Sequence, residues 1–212
     1  MEYQNIKDLR SNFPGKGAII PDRLKQHHDL RYVLIEKRTK KPSERKWQSE
    51  RNYPADNPRL LGHLSSGGNY GVACGFGDLT VVDIDKEKLL GELGVLDKLP
   101  RTFTVHTGGG GTHRYYYCHT FKKKIILYHP VLKDPARSNS PLHLGEIQWK
   151  GQQVVGPGSI HPNGNSYEVI DDSPIAEISL AELMDAIKEL KTSTMKETNK
   201  QPSTCLAGQL LG

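Results

Sequence analysis

The stretch VVDIDKE, residues 81–87, runs two apolar residues into Asp83, Ile84 and Asp85. In a β-strand, residues two apart point to the same side, so the two carboxylates would emerge side by side. Ionised carboxylates that close repel one another, and a shared divalent cation such as Mg²⁺ or Mn²⁺ relieves the repulsion. A strand that ends in a solvated turn explains the same letters equally well, because Asp-x-Asp alone is a common pattern.

Segments rich in β-branched and aromatic residues surround this stretch, and Gly, Pro and Asn separate them. Helical patterns are few: residues 56–64, where Asp56 or Asn57 can cap, residues 86–99, and residues 179–190, which open with the capping box SLAE. The predicted strands are residues 31–38, 70–74, 79–85, 102–107, 113–118, 142–149, 152–156 and 166–170. Many strands and few helices predict an α+β fold, with a mostly antiparallel or mixed sheet and flanking helices.

Composition sets broad limits on the class of protein. The 212 residues suffice for one substantial domain, and the formal net charge of +5 favours polyanionic partners such as nucleic acid or nucleotides. The cysteines Cys74, Cys118 and Cys205 are far apart, which disfavours a zinc ribbon and a disulfide scaffold. No apolar run approaches the roughly 20 residues of a membrane helix, and no signal peptide is evident, so the sequence predicts a cytoplasmic protein without a membrane partner.

A second motif is TVHTGGGGTHRYYY, residues 104–117, in which four glycines separate two predicted strands. A hairpin needs only one or two glycines, and four leave backbone N–H groups without side-chain cover, which suits phosphate oxygens. Thr107 and Thr112 add hydroxyl groups, and His113 would point from the start of a strand towards the same loop. A flexible hairpin with a surface histidine is the alternative interpretation.

A third motif combines a carboxylate in an apolar strand with a tight loop. Glu146 lies in LHLGEIQW, residues 142–149, where it is either a further acidic ligand or an edge-strand carboxylate that faces water. The following loop, VVGPGSIHPNGNSYEV, carries Ser159 and His161 between Pro and Gly residues. A histidine in a loop has little functional weight by itself.

Taken in order, these motifs resemble the archaeo-eukaryotic primase superfamily, whose catalytic core is similar to an RNA-recognition-motif fold. The closer resemblance is to the bifunctional DNA primase/polymerase (prim-pol) domains of plasmids, viruses and mobile elements. It rests on Lys41-Pro42 followed by Trp47, NYGVACG before the Asp-x-Asp strand, Thr-x-Gly-Gly-x-His followed by aromatics, and an acidic strand that leads into VVxPxSxHxxGxxY. The similarity spans roughly residues 30–170.

The resemblance implies a site for two divalent ions, Mg²⁺ or Mn²⁺, bound by Asp83, Asp85 and Glu146. It also implies that His113 contacts the phosphates of the incoming nucleotide. The other residues expected to bind nucleotide are Thr107, Gly110, Gly111, Thr112, Lys150, Ser159 and His161, of which Ser159 and His161 contact the nucleotide or shape their loop. The family often has a basic residue two positions after the third acid; Gln148 stands there in this chain, with Lys150 as the expected substitute.

The basic segment KRTKKPSERKWQSER, residues 37–51, predicts contact with a single-stranded template. Lys40, Lys41, Arg45 and Lys46 supply the charge and Trp47 an aromatic ring for base stacking. A solvated basic loop is the alternative, because charge runs are usually soluble surface.

The domain organisation expected from these patterns is a catalytic domain at residues 1–190 and a flexible linker at residues 191–212 that leads to an absent C-terminal module. The implied activity is template-directed nucleotidyl transfer by a DNA primase and polymerase, with a single-stranded DNA template, a primer and dNTP or NTP substrates. A helicase module or replication proteins would be its partners. Two alternatives remain open: a replication initiator that binds single-stranded DNA without synthesis, and a metal-dependent nuclease that uses the same acids.

Overall fold

The computed structural model describes residues 17–120 and 123–194, apart from the side chains of residues 138 and 139. The strands are β1 (Arg31–Ile35), β2 (Asn69–Ala73), β3 (Leu79–Ile84), β4 (Thr104–His106), β5 (Thr112–Tyr117), β6 (Ile125–Asp134), β7 (Arg137–Gln148), β8 (Gln153–Val155), β9 (Glu168–Asp171), β10 (Ala176–Glu177) and β11 (Lys191–Thr194). The α-helices are α1 (Asp22–Lys25), α2 (Pro58–Ser65), α3 (Glu87–Glu92) and α4 (Leu180–Ala186). Short 3₁₀ turns lie at Phe76–Asp78 and Leu96–Lys98.

The strands form a small sheet and a large one. The small sheet has the order β1-β2-β8, and the large sheet has the order β11-β6-β7-β3-β5-β4-β9, with β10 paired to the end of β5. Every pairing is antiparallel except the parallel one between β10 and β5. The predicted α+β class with a mostly antiparallel sheet is therefore confirmed.

The large sheet is covered on both faces by apolar residues. Along β3, Leu79 and Val81 pack towards the small sheet, in one cluster with Tyr70 and Val72 of β2. Val82 and Ile84 pack on the opposite face, in a second cluster that includes residues of α3 and α4. This alternation puts Asp83, in phase with Val81, on the small-sheet side of the large sheet.

The helix termini follow their sequence signals. Asn57 caps α2 through its side chain, with Pro58 in the first turn, and Ser179 and Glu182 form the predicted capping box of α4. The helical segment predicted at residues 86–99 is shorter than expected, because α3 stops at Glu92 ahead of Gly94, whose φ of +67° ends the turn. No described helix has the length and apolar character needed to span a bilayer.

The long hairpin of β6 and β7 was not predicted in full. Its outer part reads KDPARSNSP, residues 133–141, a polar stretch typical of a loop. β11 was also not predicted: the first four residues of the expected linker pair with β6, from Lys191 opposite Tyr128 to Thr194 opposite Ile125. The sheet thus extends past the predicted boundary at residue 190, and residues 195–212 lie outside the described part of the chain.

Candidate active site

Three predicted site residues lie directly opposite one another on adjacent strands. Asp83 of β3 is the register partner of His113 on β5 and of Glu146 on β7. Directly opposed residues share a face and stand about 5 Å apart at Cβ, so the three side chains form one row across the sheet. The His113 Nε2 atom lies 3.5 Å from Asp83 Oδ1. The predicted placement of Glu146 on the same face as Asp83 is confirmed.

A β-bulge in β7 brings one further side chain to this row. Leu127 of β6 pairs with Gly145 and the next residue, Tyr128, pairs with His143, which leaves Leu144 as the extra residue. The Leu144 carbonyl accepts hydrogen bonds from the backbone N–H groups of Asp85 and Lys86, at 2.9 and 3.2 Å. In a regular strand, residues 143 and 146 would face opposite sides, and the bulge is what puts both on the same side.

His143 connects the two ends of the acidic group. Its Nδ1 atom lies 3.1 Å from Asp85 Oδ2, and its Nε2 atom lies 3.8 Å from Glu146 Oε1. Glu146 has two more partners, both at Oε2: the Lys124 ammonium at 2.6 Å and the Gln148 amide, which donates at 2.6 Å. Sequence reasoning did not assign Lys124 or His143 to the site. The alternation in KIILY, residues 124–128, puts Lys124 and Tyr128 on one face, but only the strand pairing brings Lys124 to Glu146 and Tyr128 to His143.

The ionisation of the site follows from burial and from these contacts. Burial raises the pKa of Asp83, and the charges of Asp85 and Glu146 add to the effect while His113 opposes it. Burial also acts to raise the pKa of Glu146, but hydrogen bonds from His143 and Lys124 and the Lys124 charge lower it to about 2. Hydrogen bonds to Asp85 and Glu146 raise the pKa of His143 to about 9. Burial lowers the pKa of His113 despite the nearby Asp83.

The carboxylates fit a divalent-ion site in chemistry, number and face. Asp83, Asp85 and Glu146 supply oxygen donors, and the charges of Asp85 and Glu146 both disfavour ionisation of Asp83, a repulsion that a cation relieves. Within residues 17–120 and 123–194, however, no three His, Cys, Asp or Glu side chains are arranged as a formed metal site. The convergence to metal-bridging distance expected from the sequence is therefore absent, because Lys124 and His143 draw the Glu146 oxygens to themselves. An ion would replace those contacts.

The glycine turn satisfies part of its own hydrogen-bonding capacity. The Gly110 N–H donates to the Thr107 carbonyl and the Gly111 N–H donates to Thr107 Oγ1, both at 3.0 Å. At most the N–H groups of Gly108 and Gly109 therefore remain for a phosphate. Gly108 is buried, whereas Gly109 is exposed, so Gly109 is the accessible donor.

His161 lies beside that exposed glycine. A Cβ atom built on Gly109 would stand 3.5 Å from His161 Nε2. The His161 and His113 rings both pack against the Tyr167 ring, with centroids 5.9 Å from it in each case. The exposed Gly109 N–H and His161 thus lie together, and His113 shares the Tyr167 ring with His161 on the β5 side of Asp83.

Three other residues predicted to bind nucleotide are placed elsewhere. Thr112 pairs with Ile84, so its fully buried side chain faces the helices, opposite to His113. Ser159 is fully buried and its Oγ accepts the Tyr70 N–H at 3.3 Å, which matches the loop-shaping alternative. Lys150 is exposed in the turn after β7, four residues past Glu146, where its backbone packs against Gly75. Lys124 takes the basic position at Glu146 that was expected of Lys150.

The basic segment contributes one cation near the site. The charge of Lys40 lowers the pKa of His113, whereas Lys41 and Lys46 form ion pairs with Glu36 and Glu50, at 3.4 and 3.2 Å. Arg45 is exposed.

Trp47 packs against Val33, Ile35 and Ala73, on the outer face of the small sheet. Its ring is half-buried there, and the expected role in base stacking stays a prediction.

Asn69 joins the loops on either side of the site. This buried side chain accepts the Ile160 N–H at 2.9 Å and donates to the Ile160 carbonyl at 2.7 Å. It also donates to the Thr39 carbonyl at 3.3 Å. One amide thereby fixes the loop of His161 and the loop of Lys40, a function that the sequence signals did not reveal.

The large antiparallel sheet thus carries two acids and a histidine opposed on three central strands, beside a glycine turn. The family model described as "Bifunctional DNA primase/polymerase, N-terminal" matches residues 18–181, and the chain belongs to this Prim-Pol family. Membership places it among nucleotidyltransferases of the DNA primase/polymerase type.

One solved structure similar to the chain is the AEP domain of the cyanophage S-2L primase-polymerase. It is 14% identical, with a TM-score of 0.39, and the match covers 76% of this chain and 89% of that chain. No curated protein matches the chain.

Proposed function

We propose that the chain is a template-directed nucleotidyltransferase, a DNA primase and polymerase, that uses two divalent ions, Mg²⁺ or Mn²⁺. The observation that carries the proposal is the row in which Asp83 is directly opposed by Glu146 on one side and His113 on the other. Asp83, Asp85 and Glu146 would hold the ions. Bound divalent ions at such a site lower the pKa of the attacking 3′-hydroxyl and stabilise charge on the leaving phosphate.

The side chains around the acids divide the work of catalysis. His113, the Gly109 N–H and His161 lie on the β5 side of Asp83, where they would bind the phosphates of the incoming nucleotide. Hydrogen-bond donors already fixed in place need no reorganisation when charge develops on the leaving pyrophosphate.

Lys124 and His143 keep the site assembled before substrate arrives. The Lys124 ammonium pairs with Glu146 at 2.6 Å and the His143 ring lies 3.8 Å from it, so both offset its charge. With ions held by the carboxylates, Lys124 and His143 would be available to contact phosphate oxygens.

The remaining elements of the proposal concern substrates and setting. The template is single-stranded DNA, the nucleotides are dNTPs or NTPs, and the reaction serves replication of a plasmid, virus or mobile element in the cytoplasm. A helicase module or replication proteins would act with it. Residues 1–190 with β11 form the catalytic domain, and the residues after 194 are proposed as a linker.

A second candidate is a replication initiator that binds single-stranded DNA without synthesis. One observation favours it: the Glu146 oxygens are already occupied by Lys124, His143 and Gln148, as in a structural ion-pair network. Synthesis by the purified protein separates the two candidates.

The experiment is a synthesis assay on single-stranded DNA, with and without a primer, in the presence of Mg²⁺ or Mn²⁺. We expect labelled products from the wild type, and a loss of at least about 100-fold in Asp83→Ala and His113→Ala. Asp97→Ala, which removes an exposed acid from the 3₁₀ turn on the helix side, is the matched control and should remain active. DNA binding without product in the wild type would favour the initiator, and template degradation without nucleotides would favour a nuclease.

A further inference from the structure

A groove of about 470 Å³ lies beside the acidic row, between the β6–β7 hairpin and β11. Its lining residues include Tyr128, Arg137, Lys191 and Ser193. His143, which contacts Asp85 and Glu146, forms the end of the groove nearest the acids. The groove and the acidic site therefore share a wall.

Strand register puts the groove on the same face as the acids. Lys191 of β11 is directly opposite Tyr128 of β6, and Tyr128 is directly opposite His143 of β7. In the neighbouring row, Ser193 is opposite Ile126, and Ile126 is opposite Glu146. The same face of the large sheet thus presents polar and aromatic groups from β11 to β7, and carboxylates from β7 to β3.

The groups in the groove are those that bind a nucleic-acid strand. Arg137 and Lys191 are both exposed, and among the described residues neither has a carboxylate within 4.0 Å. Tyr128 supplies an aromatic ring for stacking, and this ring is T-shaped against the His143 ring at a centroid distance of 6.0 Å. Asp134 also lines the groove, and its Oδ1 accepts the Ala136 N–H at 2.9 Å within the hairpin turn. Two cations without carboxylate partners, together with an aromatic ring, can bind both the phosphates and the bases of a nucleic-acid strand. This set of groups therefore suits a nucleic-acid strand better than it suits a free anion.

The order of strands indicates which nucleic-acid strand this is. Nucleotidyl transfer needs the attacking and leaving oxygens roughly in line on opposite sides of the phosphorus. His113, Gly109 and His161 lie on the β5 side of Asp83, where the leaving pyrophosphate would be bound, whereas the groove lies on the β7 side. The attacking 3′-hydroxyl must come from the groove side.

We propose that this groove binds the primer strand, with its 3′ end at His143 and its upstream phosphates at Arg137 and Lys191; this rests on the proposed function. β11 is two strand spacings from β7, which carries His143, or about 10 Å, and this distance corresponds to about three nucleotides of a stacked strand. The groove therefore binds roughly the last three nucleotides of the primer. β11, in the segment that the sequence analysis assigned to a linker, forms one of its walls.

The test compares Arg137→Ala/Lys191→Ala with Lys88→Ala/Lys188→Ala, a control pair on α3 and just after α4 that removes the same charge from the helix side. The dissociation constant of a recessed primer–template is measured by fluorescence anisotropy without metal or nucleotide, over a range of salt. We expect roughly tenfold weaker binding for the groove variant, with a salt slope smaller by about 1.4 to 1.8 for two lost phosphate contacts. The control pair should change binding by less than about twofold, and matching melting temperatures would establish that both variants fold.

Two further arms identify the strand. With the template strand alone, the groove variant should bind as the wild type does, and equal losses with and without primer would overturn the primer assignment. In extension assays, the groove variant should raise the KM for primers of about six nucleotides but not for dinucleotide primers, and leave the KM for dNTP unchanged. If the wild type extends primers and the groove variant extends them equally well, this inference is overturned and the proposed function stands. A wild type without synthesis would overturn the proposed function, while the anisotropy result would still decide the groove.

Discussion

Asp83 occupies an unfavourable position for a carboxylate, since burial and two neighbouring acids all act against its charge. A raised pKa in the folded state means that the ionised form lowers stability at pH values above the ordinary carboxylate range, including neutral pH. A side chain kept there at a cost in stability is typical of a functional site.

Asp83→Asn removes this charge and keeps the shape. We expect its free energy of unfolding at pH 7.5 to equal or exceed that of the wild type, whereas synthesis falls at least about 100-fold because the proposed metal site loses a ligand. Denaturant titration and primer extension measure the two effects. A variant that is less stable than the wild type would contradict the view that the Asp83 charge is destabilising.

Lys124 competes with any divalent ion for Glu146. The variant Lys124→Gln removes the positive charge that competes with the ion. We therefore expect the Mg²⁺ concentration needed for half-maximal synthesis to fall several-fold. A titration with Mg²⁺ at saturating nucleotide measures it, and Lys123→Gln, the neighbouring lysine, is the control. An increase in the required Mg²⁺ would mean that Lys124 helps the ions to bind.

Two substitutions at Trp47 distinguish a role in packing from a role in base stacking. Leucine can fill the apolar contact with Val33 and Ile35 but offers no aromatic face. We expect Trp47→Leu to keep its affinity for single-stranded DNA within about twofold, and Trp47→Ala to lose roughly 2–4 kcal/mol of stability. A Trp47→Leu variant that folds normally and loses DNA affinity would confirm the predicted stacking role.

At the scale of elements, two glycines allow the strands beside β3 to approach it. A side chain at Gly145 of β7 would collide with the Asp83 carbonyl, and one at Gly111, just before β5, would collide with the Ile84 carbonyl. Both close approaches lie at the end of β3 that carries the acids. The bulge at Leu144 depends on the first of them.

Gly145→Ala should therefore distort the bulge and move His143 and Glu146. We expect a loss of roughly 2–4 kcal/mol, since a buried backbone has to shift to admit the methyl group. Gly62→Ala in α2, where the added methyl meets open space, should be neutral or gain up to about 1 kcal/mol. Thermal denaturation of both variants tests the comparison, and equal melting temperatures would show that the bulge is tolerant.

The elements also explain how far the sequence could be interpreted. The order of Asp83, His113 and Glu146 was recoverable, because Asp83 lies near the end of an apolar strand, His113 near the start of one and Glu146 inside one. Lys124 and His143 were not, because their position depends on the pairing of β6 with β7 and on one extra residue in that pairing. Thr112 was assigned to the phosphate site although strand alternation puts it on the opposite face from His113.

At the scale of the whole molecule, β11 closes one edge of the large sheet. It covers β6, whose Ile125 and Leu127 are buried. A chain that ends at Thr194 should therefore be more stable than one that ends at Leu190, by roughly 1–2 kcal/mol for the lost strand pairing. Differential scanning calorimetry measures the difference. If the chains that end at Thr194 and at Leu190 melt at the same temperature, β11 does not stabilise the fold and serves only as a wall of the groove.

The row of opposed residues also determines when, during synthesis of the chain, the site can first exist. Asp83 and His113 are made early, and a nascent chain that has reached Cys118 already contains β3, β4 and β5. Glu146 is added 28 residues later, on the strand that must insert between β3 and β6 in the finished sheet. A ribosome-bound chain shorter than this therefore lacks one of the three acids, and the row of Asp83, His113 and Glu146 forms only when β7 has paired with β3.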